Sequence, residues 1–241
     1  MQARNQGKNP QASWRTRLMT LAFAAFHRVR SLARERVGVS AGLHGNGMAF
    51  SRRALEAVPY RAHSLVEDLE YAIQLGLSGI RVHYADEAEV FGDMAVAERA
   101  ARSQRQRWEV GRKQIARAHR SRLLGLGLSR RSGLLLDLAL DLFVPPLSTL
   151  SLGAALGLAC SAALIVELGR PLWLAAPWLA ACALITAYVL RGAMLSGRGV
   201  RALLDLAWAP LYVLWRVAIR LGGLGKPRGE WVRTARSEQD A

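Results

Sequence analysis

Two adjacent carboxylates, Glu67 and Asp68, could carry general acid–base chemistry in this sequence. They follow Ser64, and the spacing Ser64-x-x-Glu67 is that of a capping box, in which the glutamate only satisfies backbone amides at a helix start. Asp68 would then be a first-turn carboxylate stabilised by the helix dipole. The alternative is that Asp68, held at a helix N-terminus beside a cleft, takes a proton from a substrate hydroxyl. Taken alone, the spacing favours the capping interpretation.

A second candidate for chemistry is the segment Gln-Arg-Gln-Arg-Trp at 104–108. In a helix, Gln104, Arg107 and Trp108 share one face, because residues three and four apart are neighbours. A guanidinium binds phosphate oxygens in a bidentate manner and an indole ring stacks on a sugar, so this face suits a sugar diphosphate. The alternatives are a solvated basic helix with one buried tryptophan, and nucleic-acid binding. Against nucleic acid, the segment adjoins long apolar runs, where anionic lipid headgroups are the nearer partner.

A third candidate is Gly45-Asn46-Gly47, which predicts a turn from its composition. Its alternative role is a loop that a substrate approaches closely, since glycine has no side chain to obstruct the approach. By itself the pattern does not distinguish these two roles.

The elements that would position these residues follow from apolar periodicity. Apolar side chains recur at spacings of three and four over 13–36, which predicts an amphipathic helix with Ser13 as its N-cap. The order of helix, strand, helix, strand and helix indicates an α/β domain. The remaining predicted elements are a loop and strand over 37–51, a helix over 64–76, a strand over 80–84, an acidic loop over 86–93 and an arginine-rich helix over 96–119.

Charge and hydropathy are segregated along the chain. The 241 residues carry a formal net charge of +15, yet 51% of them are hydrophobic. Residues 1–142 contain 23 of the 33 basic and 13 of the 18 acidic side chains, whereas residues 143–190 contain only Glu167 and Arg170. The apolar content excludes a disordered chain, and the uncharged runs exclude a single soluble globule. We predict a basic, soluble front half and a membrane-embedded back half.

Two uncharged runs, 143–166 and 171–190, are each long enough as helices to cross a hydrocarbon core of about 30 Å. Arginines flank the pair but are nearly absent from the loop between the runs, so the positive-inside rule places the front half and the C-terminus in the cytoplasm. We therefore expect a multi-pass protein of the inner (plasma) membrane. The predicted segments are a soluble domain at 1–125, a linker or interfacial helix at 126–142, two transmembrane helices at 143–190, an interfacial or re-entrant helix at 201–221 and a basic cytoplasmic tail at 222–241.

The order of these pieces resembles the C-terminal half of a membrane-bound family 2 glycosyltransferase, of the cellulose, hyaluronan and poly-N-acetylglucosamine synthase type. The resemblance is carried by residues 45–53, Glu67-Asp68, the segment at 104–108 and the paired apolar runs, in that order. It implies that 1–125 is the acceptor-side half of a partial GT-A-type glycosyltransferase domain, followed by transmembrane helices. The implied reaction transfers a sugar, with inversion, from a nucleotide-diphospho-sugar to a glycan or lipid-linked acceptor.

The resemblance also implies a role for each site residue. Asp68 would be the base that deprotonates the acceptor hydroxyl, and Glu67 would support it at the helix start. The residues implied in substrate binding are Gln104, Arg107 and Trp108 at the donor diphosphate and acceptor terminus, and Gly45, Asn46 and Gly47 in the sugar pocket.

One part of the family pattern is missing. Related enzymes bind the nucleotide and a divalent cation, Mg²⁺ or Mn²⁺, through an earlier half that ends in Asp-x-Asp, and this sequence contains no Asp-x-Asp. The resemblance therefore implies a cation whose ligands are missing from this chain, and a truncated protein that needs a donor-binding half in cis or from a separate partner. The expected partners are the donor, the acceptor and membrane lipids, and not nucleic acid. The alternatives are a catalytically inactive membrane scaffold that retains the fold, and a nucleic-acid-binding membrane protein suggested by charge alone.

Overall fold

A small parallel sheet lies at the start of the fold. The computed structural model describes residues 1–222, in which strand β1 (Gln2–Gly7) pairs in parallel with strand β2 (Tyr84–Gly92). Arg4 of β1 forms ion pairs with Asp86 and Glu89 of β2. Opposite charges on neighbouring strands stabilise pairing, which explains why an acidic segment forms a strand. The predicted strand over 80–84 and the acidic loop after it are therefore wrong in their boundaries, and β1 was not predicted.

A long helical segment follows β1 and contains an irregular middle. It consists of α1 (Trp14–Phe23), a π-helical stretch (Ala24–Val29) and α2 (Arg30–Arg36), without a break between them. The Ser13 side chain accepts a hydrogen bond from the Thr16 amide at 3.1 Å, and the Thr16 hydroxyl accepts one from the Ser13 amide at 2.8 Å. The predicted helix with Ser13 as its N-cap is confirmed. The π-helical stretch has no counterpart in the sequence pattern.

The next segment contains two helices and a long connection. They are α3 (Arg52–Ala57) and α4 (Glu67–Leu77), and α4 starts three residues later than predicted. Between 37 and 51 the structure has no strand, but only an isolated antiparallel bridge between Gln2 and Met48. The strand predicted in this segment is wrong, because its backbone follows side-chain and loop hydrogen bonds rather than a ladder.

The main apolar core is built by α4 and a helical hairpin. The hairpin joins α5 (Glu98–Ser129) to α6 (Gly133–Phe143), so the arginine-rich helix starts two residues later and ends ten residues later than predicted. Segment 126–142, which the sequence predicts as a linker or interfacial helix, thus contains the end of α5 and all of α6 except Phe143. The apolar side of α6 faces this core. The buried core residues are Val66, Ile73, Ile115, Leu123, Leu135, Leu138, Ala139 and Leu142.

Two apolar helices form a second hairpin. They are α7 (Leu147–Leu168) and the segment Leu172–Leu195, whose first turn is a 3₁₀ helix and whose remainder is α8 (Ala176–Leu195). By length and composition, both could cross a membrane. A Cβ atom added at Gly157 of α7 would overlap the Trp178 ring of α8, so the glycine permits close packing of the two helices.

The C-terminal part of α8 contacts the π-helical stretch between α1 and α2. The Tyr188 hydroxyl donates a hydrogen bond to the Ala25 carbonyl at 2.8 Å, and a Cβ at Gly192 would lie 2.8 Å from the Ala25 Cβ. A π-helical turn carries an extra residue and is often found where a helix must present a group outside the regular ladder. Here it brings the Ala25 carbonyl and its small side chain against α8.

The described chain ends in three short helical pieces. They are α9 (Arg201–Asp205), a 3₁₀ turn (Leu206–Trp208) and α10 (Ala209–Gly222). Residues 201–221, predicted as an interfacial or re-entrant helix, are thus helical but interrupted, and they contact α1 and α8 through a cluster of Leu18, Leu21, Ala193 and Ala202. Apart from Gly222, the predicted basic tail lies outside the described residues. The described protein is mostly helical with a small sheet, which matches the α/β expectation only coarsely.

Candidate active site

The Gly45-Asn46-Gly47 loop and Asp68 lie side by side. Asp68 is in the first turn of α4 and is half-buried. A Cβ atom added at Gly45 would lie 3.6 Å from Asp68 Oδ2, so the glycine leaves the carboxylate approachable from the loop. Two of the three predicted motifs are therefore neighbours, although 22 residues separate Asp68 from Asn46 in the sequence.

The protonation of Asp68 is set mainly by its burial. Burial raises the pKa of this carboxyl above its ordinary value, and the adjacent charge of Glu67 raises it further. Three effects act in the opposite direction and lower the pKa. The Leu69 amide donates to Oδ1 at 2.8 Å, the backbone amide of Asp68 itself also donates to the carboxylate, and the positive charge of Arg107 favours the ionised form. The net result is a raised pKa. A carboxylate of this kind is a stronger base than an exposed aspartate.

Arg107 brings the third predicted motif to the same place. Arg107 lies one turn before Gly111, which packs against Leu65 and Val66 at the start of α4. Its charge lowers the pKa of Asp68. Its Nε is buried and has no hydrogen-bond partner among the residues that the structure describes. A buried donor without a partner is costly, because the desolvated group has lost its water. An anionic ligand would supply the acceptor that this N–H lacks, and phosphate oxygens are acceptors that fit a guanidinium well.

Trp108 is held by the core more than by the site. It packs against the cluster that includes Val66 and Ile115, and the Arg105 guanidinium lies 5.9 Å from its ring centroid. Arg105 is itself hydrogen-bonded to the Tyr212 hydroxyl. The stacking of Trp108 on a sugar thus remains a prediction, and part of its role is structural.

Gln104 lies on the same helix, one turn before Trp108, and is half-buried. Its predicted contact with the substrate also remains a prediction.

Gly111 sets the distance between α5 and the start of α4. A Cβ atom added there would lie 2.9 Å from Val66 Cγ1 and 3.2 Å from Leu65 Cβ. These two residues immediately precede Glu67 and Asp68. The close approach therefore brings the two carboxylates toward Arg107, which lies one turn before Gly111 on α5. Position 111 therefore requires glycine for packing, and through packing it positions Asp68.

Strand β2 and the Gln2 side chain hold the Gly45-Asn46-Gly47 loop in place. A Cβ at Gly47, which has φ +73°, would lie 2.9 Å from Val90 Cγ2. The fully buried Gln2 side chain donates to the Asn46 carbonyl at 2.7 Å and accepts from the His44 amide at 2.9 Å. Sequence reasoning missed this residue. An amide side chain both donates and accepts, which is what two successive backbone groups of a loop require.

Glu67 is exposed, and the predicted capping box is wrong. The residue before α4, Val66, makes no side-chain cap, and the Ser64 hydroxyl is buried without a hydrogen-bond partner among the described residues. The Glu70 carboxylate instead accepts from the Ser64 amide at 3.0 Å and the His63 amide at 3.2 Å. Glu67 is thus free of a capping role, and its negative charge raises the pKa of Asp68.

Tyr60 is a further residue beside the two carboxylates. Burial raises the pKa of its hydroxyl, and the charges of Glu67 and Asp68 raise it further. The ring lies 4.5 Å from that of Tyr71, centroid to centroid, while 40% of the residue is exposed. Tyr60 therefore presents a neutral hydroxyl near the acids. A single tyrosine in a connection carries no signal by which sequence reasoning could have found it.

The described residues do not fit a divalent cation. Among them there is no group of three or more histidine, cysteine, aspartate or glutamate side chains that could hold a metal ion. Mg²⁺ and Mn²⁺ prefer several oxygen ligands, so the paired Glu67 and Asp68 are too few to form a site.

Comparison with known proteins gives one match. Residues 4–219 match the family model described as glycosyl transferase family group 2. No curated protein and no solved structure shows significant similarity to the chain. The match extends from β1 into α10 and includes Gly45, Asp68 and Arg107.

Proposed function

Because this chain belongs to glycosyl transferase family group 2, we propose that it transfers a sugar from a nucleotide-diphospho-sugar to an acceptor hydroxyl, with Asp68 as the base. The observation that carries the assignment of the base is the meeting of three segments. Asp68 has a raised pKa, the Gly45 backbone leaves it approachable, and the buried Arg107 Nε has no partner among the described residues.

In the proposed reaction, Asp68 accepts the proton of the acceptor hydroxyl as its oxygen attacks the anomeric carbon. The new bond joins the acceptor oxygen to that carbon. The broken bond joins the carbon to the diphosphate oxygen, which leaves on the opposite face with the electron pair. Displacement in this geometry inverts the anomeric configuration. The Asp68 carboxyl carries the proton until it is released to solvent.

Arg107 would neutralise the charge that develops on the leaving diphosphate. Its unpartnered Nε–H can donate to a phosphate oxygen, and a half-buried setting makes such a charge-assisted bond stronger than in water. Its positive charge also favours the ionised form of Asp68 and so limits how far burial raises the pKa of that carboxyl. Both effects need the α4–α5 approach at Gly111.

The remaining residues would bind and orient the substrates. Glu67 is exposed beside Asp68 and would contact the acceptor, whereas Gln104 and the free edge of Trp108 would face the sugar. Asn46 and the flanking glycines would line the pocket. Tyr60, with its neutral hydroxyl, would donate a hydrogen bond to the same ligand.

The membrane setting is part of the proposal. We place the helix pair of α7 and α8 across the inner membrane because both segments are long and apolar enough, and their side chains are largely exposed. The arginine distribution puts the α4–α5 site on the cytoplasmic side. The acceptor would be a growing glycan or a lipid-linked sugar. A donor-binding segment with the cation ligands would come from further residues of the same protein or from a separate chain.

The test is donor consumption by the full chain in detergent, with and without a candidate donor-binding segment. A panel of uridine and guanosine diphospho-sugars is supplied, and release of the nucleoside diphosphate is measured. We expect Asp68→Asn to lower turnover by about 10²-fold or more, which is the usual contribution of a general base. Asp93→Asn is the matched control, because Asp93 is exposed in the same half of the chain.

Two results would contradict the assignment. If Asp68→Asn keeps turnover within threefold of the unmodified chain, Asp68 is not the base. If the folded chain consumes no donor in any combination, the alternative of an inactive membrane scaffold is favoured instead.

A further inference from the structure

A cavity of about 300 Å³ lies where the apolar hairpin meets the first long helix. It is bordered by the start of α1, the turn after α8, and α9. The residues that line it are Gln11, Arg17, Arg198, Arg201, Leu204 and Asp205. This cavity is separate from the Asp68 site, because no residue of the two sets is shared.

The cavity has an excess of positive charge. Its lining contains three guanidinium groups and one carboxylate. Asp205 is buried and is bound by Arg198, with Nε at 2.7 Å from Oδ2, whereas the Arg17 guanidinium lies 3.9 Å from Oδ1. One arginine is therefore neutralised by a tight pair, and the remaining charge belongs mainly to Arg17 and Arg201.

These two arginines have donors to spare. The Arg17 Nε is buried with no hydrogen-bond partner in the described part of the chain, and Arg201 is exposed with no ion pair there. Two guanidinium groups at one cavity can bind the oxygens of a phosphate in a bidentate manner, which a carboxylate matches less well in charge. The positive charge of these two arginines suits an anion with several oxygen acceptors, of which a phosphate group is one.

Apolar surface next to the cavity indicates what else the ligand carries. Leu204 lines the cavity and is 71% exposed, and Val200, at the turn before α9, is 77% exposed. Leu203 adds a third exposed side chain. Exposed apolar groups in a row mark a lipid or protein contact, and here they adjoin the end of a helix that is long and apolar enough to cross a membrane.

We propose that this cavity binds the phosphate group of an anionic membrane lipid, whose acyl chains lie along Val200, Leu203 and Leu204. Arg17 and Arg201 hold the phosphate oxygens. The Arg198–Asp205 ion pair links the turn after α8 to α9 and so stabilises the lining of the cavity. The lipid would bridge the N-terminal part of α1 and the C-terminal end of α8. The inference rests on the proposed membrane position of α8 and not on the sugar-transfer chemistry.

The test is a titration of the purified full chain in neutral detergent, followed by isothermal calorimetry, with no sugar donor present. The probes are dihexanoyl phosphatidic acid, dihexanoyl phosphatidylcholine and inorganic phosphate. We expect phosphatidic acid to bind at least tenfold more tightly than either of the other two. Arg17→Gln and Arg201→Gln should each weaken that binding at least fivefold.

The matched control is Arg170→Gln, since Arg170 is an exposed arginine in the loop at the other end of the helix pair. It should leave the affinity unchanged. Arg201 is exposed, so its substitution is not expected to disturb folding, and the melting temperature of each variant checks this. Since no donor is present, failure of lipid binding and failure of sugar transfer are separate results.

Three results would overturn the proposal. Equal affinity for inorganic phosphate would make the cavity a site for free phosphate. Unchanged binding of phosphatidic acid to a folded Arg201→Gln variant would place the lipid elsewhere. Absence of any binding of phosphatidic acid would leave the cavity without a lipid.

Discussion

Replacement of Gly111 by alanine should separate α5 from the start of α4 and destabilise the protein. The added Cβ would lie 2.9 Å from Val66 Cγ1 and 3.2 Å from Leu65 Cβ. Neither neighbour can move away easily. Val66 is a β-branched residue that is only 8% exposed, and the Cβ of Leu65 is attached directly to the backbone. The strain therefore has to be relieved by movement of the helix or the chain before it.

The magnitude follows from two opposing contributions. Overpacking a buried contact costs about 1–3 kcal/mol. Alanine in place of a helical glycine contributes about 0.8–1 kcal/mol in the opposite direction. Gly125 offers a matched control in the same helix, because a Cβ there meets nothing within 4 Å. The difference in stability between Gly111→Ala and Gly125→Ala cancels the propensity gain and isolates the contact, at about 1–3 kcal/mol.

The assay is thermal unfolding of both variants in the same detergent, followed by circular dichroism. For a chain of this length, 1 kcal/mol shifts Tm by about 2–4 °C, so Gly111→Ala should melt about 2–12 °C below Gly125→Ala. Donor turnover should fall only in Gly111→Ala, because the contact also sets Asp68 against Arg107. Equal melting temperatures would refute the reasoning, since they would mean that the close approach at Gly111 does not exist in the folded protein.

Three further predictions concern protonation and helix packing. Burial raises the pKa of Asp68 above its ordinary value of 3.8. The native state therefore binds the proton more tightly than the unfolded state, and the free energy of unfolding falls as pH rises from the ordinary pKa to the raised one. Asp68→Asn should flatten this slope in melts recorded from pH 4 to 7. Burial, with a smaller effect of a nearby arginine, lowers the pKa of His27 to about 4 from 6.5, so stability should be lost as pH falls from about 6.5 to 4; His27→Phe should reduce that loss. Gly157→Leu should lower Tm more than Gly153→Leu, because a Cβ at Gly157 would overlap Trp178, whereas the space at Gly153 is open.

Each of these has a result that would contradict it. An unchanged pH slope in Asp68→Asn would mean that burial does not set its protonation. Acid stability equal in His27→Phe and the unmodified chain would show that His27 is solvated in the fold. Equal Tm losses at Gly153 and Gly157 would mean that the two apolar helices do not pack through Gly157.

Local signals predicted well where neighbouring residues decide the structure. Ser13 was recognisable as a cap because its hydrogen bond is made within one turn, to Thr16. The two apolar helices were recognisable because length and lack of charge are properties of a single segment, although their position in a membrane remains a proposal. Such features need no information about distant parts of the chain.

Predictions failed where a distant partner overrides the local pattern. The acids of β2 look like a loop until Arg4 of β1 pairs with them across the sheet. The spacing Ser64-x-x-Glu67 looks like a cap, but Glu70 binds the amides at 63 and 64 instead. A spacing rule cannot choose between two acidic side chains when the chain before the helix turns back on itself.

Sequence alone is enough to predict the separation of a basic half from an apolar half, the main helices and the three motifs of the candidate site. Their types and order depend on local chemistry and on covalent order alone. Tertiary packing is needed to show that Gly45 lies against Asp68, that Gly111 brings α5 to the start of α4, and that Arg17 and Arg201 meet at one cavity. These contacts join residues far apart in the chain, and their distances are set by which side chains fill the space between helices.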